Sequence, residues 1–418
     1  MKKNIKPALI ILGLTLSLIM SNNIYAQPED EGRSVSVGFK EQLAEKGYQY
    51  ELAYTGEVFS NLAGGNGKHT VYLDNFDIVF DFDLQKIIGL EGATFHFYGL
   101  GNNGGVPGDY AGALQGISNI AAYNTWKIYE LWYEQNLFDE KLSFLFGLWD
   151  LNSEFDSRES SSLFINPSHG IGPDFSMTGK NGPSIFPTTS LSMRINYTVT
   201  PSLKLKFAML DGVPGDPDKP AGTHIVFGKD DGLLLTTELN YGNIDNEYGQ
   251  GYNKFALGAW YYTSDFEKVV QSNNDLTSTK RGNWGVYAFA EGFVFNEHNF
   301  PEQGLALFLR GGIADPDVNT INSYLGAGAH YIGLIPGRDT DEVGFAIAAA
   351  NYKYEGAETE IFTPSYDNKF ECILELTYKV NINDWIMLQP DIQYVINPGA
   401  SEINNYSFVA GTRLQITF

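Results

Sequence analysis

Beyond residue 47 the chain alternates between apolar and polar positions with a period of two. Side chains of a β-strand point to opposite faces in turn, so this period marks strands with one apolar and one polar side. Tyr72, Phe76, Ile78, Phe80, Phe82 and Leu84 share one face, with Asn75, Asp77, Asp81 and Asp83 on the other. Leu203, Leu205, Phe207 and Met209 alternate with Lys204, Lys206 and Ala208. Cys372, Leu374, Leu376, Tyr378, Val380 and Ile382 alternate with Glu371, Glu375, Thr377, Lys379 and Asn381. About sixteen such segments fit between residues 48 and 418, an even number, as single-chain outer-membrane barrels require. The one helical stretch is Phe39 to Lys46, with Gly47 placed to end it.

The connections alternate as well. Short turns at Asp139-Glu140-Lys141, Thr200-Pro201-Ser202 and Asn381-Ile382-Asn383 follow even strands. Long loops rich in Gly, Pro and Asn (101 to 125, 152 to 187 and 212 to 231) follow odd ones. Short periplasmic turns and long outer loops are the asymmetry of a transmembrane barrel. A soluble β-sandwich also alternates, but one closed sheet accounts better for so many strands without a composition break, because closure removes every edge. The fold expected is therefore all-β: a transmembrane antiparallel β-barrel with a short N-terminal helix. Phe408, Ala410, Thr412, Leu414, Ile416 and terminal Phe418 face one way on the last strand. A strand ending in an aromatic residue resembles the signal by which such barrels reach their assembly machinery.

The N-terminus supplies the route. Lys2, Lys3 and Lys6 precede an apolar stretch from Pro7 to Met20, and Ala26 offers a small residue for cleavage before Gln27. Residues 1–26 read as a secretory signal, 27–47 as a short periplasmic segment containing the helix, and 48–418 as the barrel. The formal net charge is -23, from 27 basic and 50 acidic residues. Phosphate recognition needs clustered Lys and Arg, so nucleic acid is not an expected partner. Cys372 is the single cysteine and cannot form an internal disulfide; the alternation explains it as one more apolar-face residue.

The loop strings are more specific. GLGNNGGVPGDYAGALQGISNI (Gly99 to Ile120), WYEQN (Trp132 to Asn136) and GLWDLNSEFD (Gly147 to Asp156) are followed by INPSHGIGPDFSMTGKNGPSIFP (Ile165 to Pro187) and LDGVPGDPDKPAGTHI (Leu210 to Ile225). In that order they resemble the carbohydrate-selective porin family of the OprB type, with LELTYKV and PDIQYVINPG continuing the likeness and residues 243 to 370 matching less distinctly. The resemblance implies a sixteen-stranded channel in the outer membrane of a Gram-negative bacterium that admits monosaccharides such as glucose by passive diffusion. Outer-membrane lipid and lipopolysaccharide would surround it, as a monomer or a trimer. A general or an anion- or phosphate-selective porin is the alternative, and an outer-membrane barrel enzyme a more distant one.

Catalytic equipment is not visible. GLGNNG satisfies a dinucleotide-binding string but opens no helix. Asp81 and Asp83 lie about 7 Å apart by the strand rise, a spacing that a polar lumen produces by period alone. The histidines stand in no metal-binding or nucleophile motif. No cofactor is expected; Asp216-Pro217-Asp218 and Asp315-Pro316-Asp317 are candidate calcium ligands in outer loops, although such strings are commoner as plain turns.

With the apolar face outward, the inward set includes Asp77, Asp81, Glu130, Trp132, Glu134, Arg194, Lys204, Glu238, Arg310, Glu371, Glu375 and Arg413. Both charge signs are present, as hydrogen bonding to uncharged polyols requires, and Trp132 adds an aromatic face for the C–H side of a sugar ring. Lumen charges that merely hydrate the pore are the simpler reading of any one of them. One of the loops 101 to 125 and 152 to 187 is expected to fold inward, because a sixteen-strand barrel otherwise leaves a wide channel.

Overall fold

The computed structural model describes residues 34–244, 248–269, 278–298, 300–353, 368–400 and 404–418; the expected signal, residues 1–26, lies outside them. Sixteen antiparallel strands close into one barrel in chain order. They are β1 (Tyr48–Gly64), β2 (His69–Asp83), β3 (Ala93–Gly104), β4 (Thr125–Leu137), β5 (Leu142–Trp149), β6 (Ser190–Thr200), β7 (Leu203–Asp211) and β8 (Leu233–Gly242). The second half comprises β9 (Asn253–Glu267), β10 (Thr279–Glu297), β11 (Phe300–Ala314), β12 (Ile321–Ile332), β13 (Glu342–Lys353), β14 (Asn368–Asn383), β15 (Ile386–Ile396) and β16 (Tyr406–Thr417). β1 and β16 close the seam from Ala53↔Thr417 to Gly64↔Ser407. Among the described residues no helix is long and apolar enough to cross a membrane.

Alternation decides which side chains meet lipid. Tyr72, Phe146, Phe207, Leu257, Leu309, Leu325 and Leu376 are exposed on the outer wall, whereas Asp77, Glu238, Arg310 and Glu375 are buried inside. β4 departs from strict alternation. A bulge opposite Tyr98 and Gly99 leaves Tyr129 and Glu130 both buried, so inward positions are odd above it and even below it.

The structure shifts three local expectations. Helix α1 runs Ser34–Glu45, longer than the predicted stretch, and Gly47 below it takes a φ of +89°, which glycine adopts without a Cβ penalty. Leu84 leaves the strand. The Asp83 carboxylate accepts from the amides of Gln85 at 3.0 Å and Lys86 at 3.2 Å, capping a short helix α2, Leu84–Ile88. Asn381-Ile382-Asn383 belongs to β14, and the turn falls at residues 384–385, where Asn383 Oδ1 accepts from Trp385 N and Ile386 N, both at 2.9 Å. The long loops do follow β3, β5 and β7. Connections 84–92, 243–252 and 333–341 on the opposite side are nevertheless longer than tight turns.

Candidate functional site

Two of the long loops fold into the barrel. Residues 105–124, with helix α3 (Pro107–Ala111), and residues 150–189, with helix α4 (Pro173–Ser176), pack against the inner face of the wall. Phe155, Ile171 and Phe175 join Leu210, Trp260, Tyr262 and Tyr287 in one apolar cluster. Ala111, Ile117 and Ile165 join Phe59, Tyr324, Ile373, Val395 and Val409 in a second. A barrel interior is polar, so the inward apolar residues of these strands are explained by the loops that cover them.

The backbone of an irregular loop must also be satisfied where water is excluded. Three wall carboxylates do this in one repeated way, each taking the amides of two successive loop residues. Glu371 accepts from Leu114 N and Gln115 N, both at 2.9 Å. Glu291 accepts from Glu159 N at 3.2 Å and Ser160 N at 2.8 Å. Glu375 accepts from Ile165 N at 2.6 Å and Asn166 N at 3.1 Å. Glu238 takes Asp156 N at 2.8 Å and the Tyr287 hydroxyl at 2.6 Å.

At the centre of the longer loop the Arg310 side chain, fully buried, is forked between two loop carboxylates. It donates through Nη2 to Asp156 at 2.7 Å and through Nη1 to Asp174. Arg158 donates to the other Asp156 oxygen at 2.5 Å and to the carbonyls of His169 and Gly170, both at 2.9 Å. The Arg310 guanidinium lies between the rings of Tyr287, 5.2 Å away, and Tyr324, 5.3 Å away. A Cβ at Gly172 or Gly312 would run into the guanidinium and Asp174, so both glycines are needed for this approach. Burial opposes ionisation of Asp156, but Arg310 and Arg158 outweigh it and hold its pKa below the ordinary carboxylate value.

The inward residues thus separate into two groups. Arg310, Glu238, Glu371 and Glu375 support the loops. Asp77, Asp81, Glu130, Trp132, Glu134 and Arg194 lie together on β2, β4 and β6, and the side chains of Asp81 and Glu134 keep 31% and 20% exposure against 0% for Glu375. Asp77 accepts from the Tyr98 hydroxyl at 2.6 Å. His96 Nδ1 is 2.7 Å from Asp81, and its ring stacks on Trp132 with centroids 4.4 Å apart. Trp132 Nε1 donates to Glu130 at 2.7 Å. Arg194 bridges Glu134 at 2.7 Å and Glu154, from the inward loop, at 2.6 Å. Lys204 occupies the inward face at the periplasmic end of β7. Arg413 donates to Glu57 and to Asn119 of the shorter inward loop.

His96, Glu291 and Glu154 were not singled out from sequence. Alternation would have found the first two, on β3 and β10; Glu154, like Asp156, Arg158 and Asp174, lies in a loop without a period. The Asp315 and Asp317 carboxylates both accept from Lys280, at 2.6 Å and 3.0 Å. Asp216 accepts from the amide of Asp218 at 3.1 Å, a turn closing on itself. Among the described residues no three His, Cys, Asp or Glu side chains are grouped to hold a metal ion.

Residues 68–418 match the model of the carbohydrate-selective porin, OprB family. Porin B of Pseudomonas aeruginosa is 25% identical over 420 residues, covering 91% of this chain and 90% of that one. The putative porin QuiX of Acinetobacter baylyi is 21% identical, over 98% and 97% of the two chains. The high-pH structure of Pseudomonas putida OprB superposes with a TM-score of 0.78 at 21% identity, over 91% of this chain and 97% of that one. The outer membrane channel DcaP of Acinetobacter baumannii superposes with 0.52 at 12% identity, over 89% and 98%. The structural likenesses show the fold.

Proposed function

Because the chain belongs to the carbohydrate-selective porin, OprB family, an outer-membrane channel for sugars, we propose that monosaccharides cross it along the β1–β6 wall. The observation that carries this reading is the asymmetry of the lumen. The loops are seated mainly on strands β7–β16, while Asp81, His96, Trp132 and Glu134 stay partly open on β2–β4. This wall suits a neutral polyol. Asp81, Glu130, Glu134 and Glu154 accept from hydroxyls, Arg194 donates, and the His96–Trp132 stack presents a flat apolar surface. A stacked ring and a charged hydrogen bond each contribute on the order of 1 kcal/mol, enough to raise sugar occupancy without holding the sugar. Its role is passage.

Trp132→Ala in the full-length protein tests the assignment. In proteoliposomes it should lower the swelling rate with glucose relative to a neutral amino acid of similar size. Open-channel conductance should be equal or larger. Wild-type swelling at one rate for glucose, arabinose and the amino acid would refute sugar selectivity on this wall and leave a general porin.

A further inference from the structure

The wall between β4 and β8 is low on its extracellular side. β5 has 8 residues and β7 has 9, against 17 in β1 and 19 in β10. β5 pairs with β4 only from Leu131 downward, so β4 residues 125–130 lack a strand neighbour on that side. An unpaired strand edge facing lipid is costly, because hydrocarbon offers no hydrogen bonds. The β7–β8 loop meets part of that need. Gly222 N donates to Thr125 Oγ1 at 2.9 Å, and the Thr223 hydroxyl donates to the Ile128 carbonyl at 2.8 Å.

Immediately after these contacts come Ile225, Val226 and Phe227, three consecutive apolar side chains exposed by 54%, 44% and 67%. Phe227 leans over the outer wall and encloses a crevice of about 210 Å³ with Phe146, Met193, Met209 and Leu233. Phe146, Met193 and Leu233 are outward-facing residues of the barrel, so the crevice continues the surface that meets the membrane. Irregular backbone does not lie bare in the hydrocarbon core, which places the loop at the boundary between headgroups and acyl chains.

We propose that this loop is a membrane-seated flap and that the crevice beneath it holds one acyl chain of an outer-leaflet lipopolysaccharide. The occupant follows from the shape and surroundings of the crevice. A largely apolar slot, with Ser192, Asp211 and Asp231 as the polar side chains of its lining, admits a hydrocarbon chain. The three-residue tip, by contrast, falls far short of the roughly 1,000 Å² that a stable contact with a second copy buries.

Two measurements on the full-length protein test the proposal. In bilayers, the emission that Phe227→Trp adds over wild type should be quenched by bromines on the acyl chains and shielded from aqueous acrylamide. In native mass spectrometry with lipopolysaccharide, replacing Ile225, Val226 and Phe227 together by Ser should weaken retention of one bound molecule about tenfold. Heat modifiability should be unchanged. Quenching by acrylamide alone, or equal retention by the two proteins, would overturn it. So would phospholipid retained as well as lipopolysaccharide, or a change of oligomeric state in the triple variant, which would make the flap a contact between copies.

Discussion

Arg310→Met should open the channel without dismantling the barrel. Arg310 is fully buried and holds two carboxylates of one loop, Asp156 and Asp174. Methionine fills similar volume but leaves those charges with less compensation. Asp156 keeps Arg158 at 2.5 Å, so most of the loss falls on Asp174. Removing one partner of a buried pair costs about 3–5 kcal/mol, because the remaining charge stays desolvated. At about 1.4 kcal/mol per decade, the equilibrium for seating the loop shifts by roughly a hundredfold to a few thousandfold. The ladders that close the barrel do not depend on this residue.

Single-channel conductance in planar bilayers should therefore rise, and protease should cut within residues 150–189, while the unboiled protein keeps its altered gel migration. Arg310→Lys should fall between the two, since an ammonium supplies charge without the planar fork. Adding Asp174→Asn to Arg310→Met should recover part of the loss, because the stranded charge is gone. Unchanged conductance together with unchanged protease resistance in Arg310→Met would refute the reasoning and place the restraint with Glu238, Glu291 and Glu375.

The loop should also loosen in acid. Burial, reinforced by Arg158, pushes His169 down to about 3. A released loop titrates near 6.5 and binds the proton first, so the neutral histidine favours the seated loop above that value. This contribution is lost as pH falls from about 6.5 toward 3, on the order of 3 kcal/mol by pH 4.5. Conductance recorded from pH 7.5 to 4.5 should rise in the wild type and rise less in His169→Gln; parallel profiles would exclude His169. At the seam, Lys40 of α1 donates to the Phe418 carbonyl at 2.5 Å, and the Phe418 ring lies 6.4 Å from Trp385. Deleting Phe418 should lower the amount of folded barrel in the outer membrane, and undiminished levels by heat-modified gel mobility would remove its role in assembly.

The strand count, the lipid face and the inward parity of the wall were legible because each rests on period two, which survives in any ten residues of sequence. Asp83 shows where that signal ends. Its parity continues the polar face of β2, but two backbone amides within three residues outcompete the lumen for its carboxylate. The bulge in β4 is a similar local event. Glu130, Trp132 and Glu134, the residues expected inward on this strand, all lie below it.

Parity cannot tell Glu134 from Glu375. Both point inward, on β4 and β14, yet one faces the partly open wall and the other is closed over by amides 209 and 210 residues away in the chain. The difference lies in the loop, whose seat depends on Arg310, Asp156 and Asp174 meeting across more than 130 residues. Such meetings leave no periodic trace. They do leave a stoichiometric one: a barrel interior that must bind loop backbone needs acceptors without competing donors, and carboxylates meet that need better than amides or hydroxyls. An excess of acids over bases inside the wall is therefore what an inward loop demands, and part of the strong negative charge of this chain is structural before it is selective.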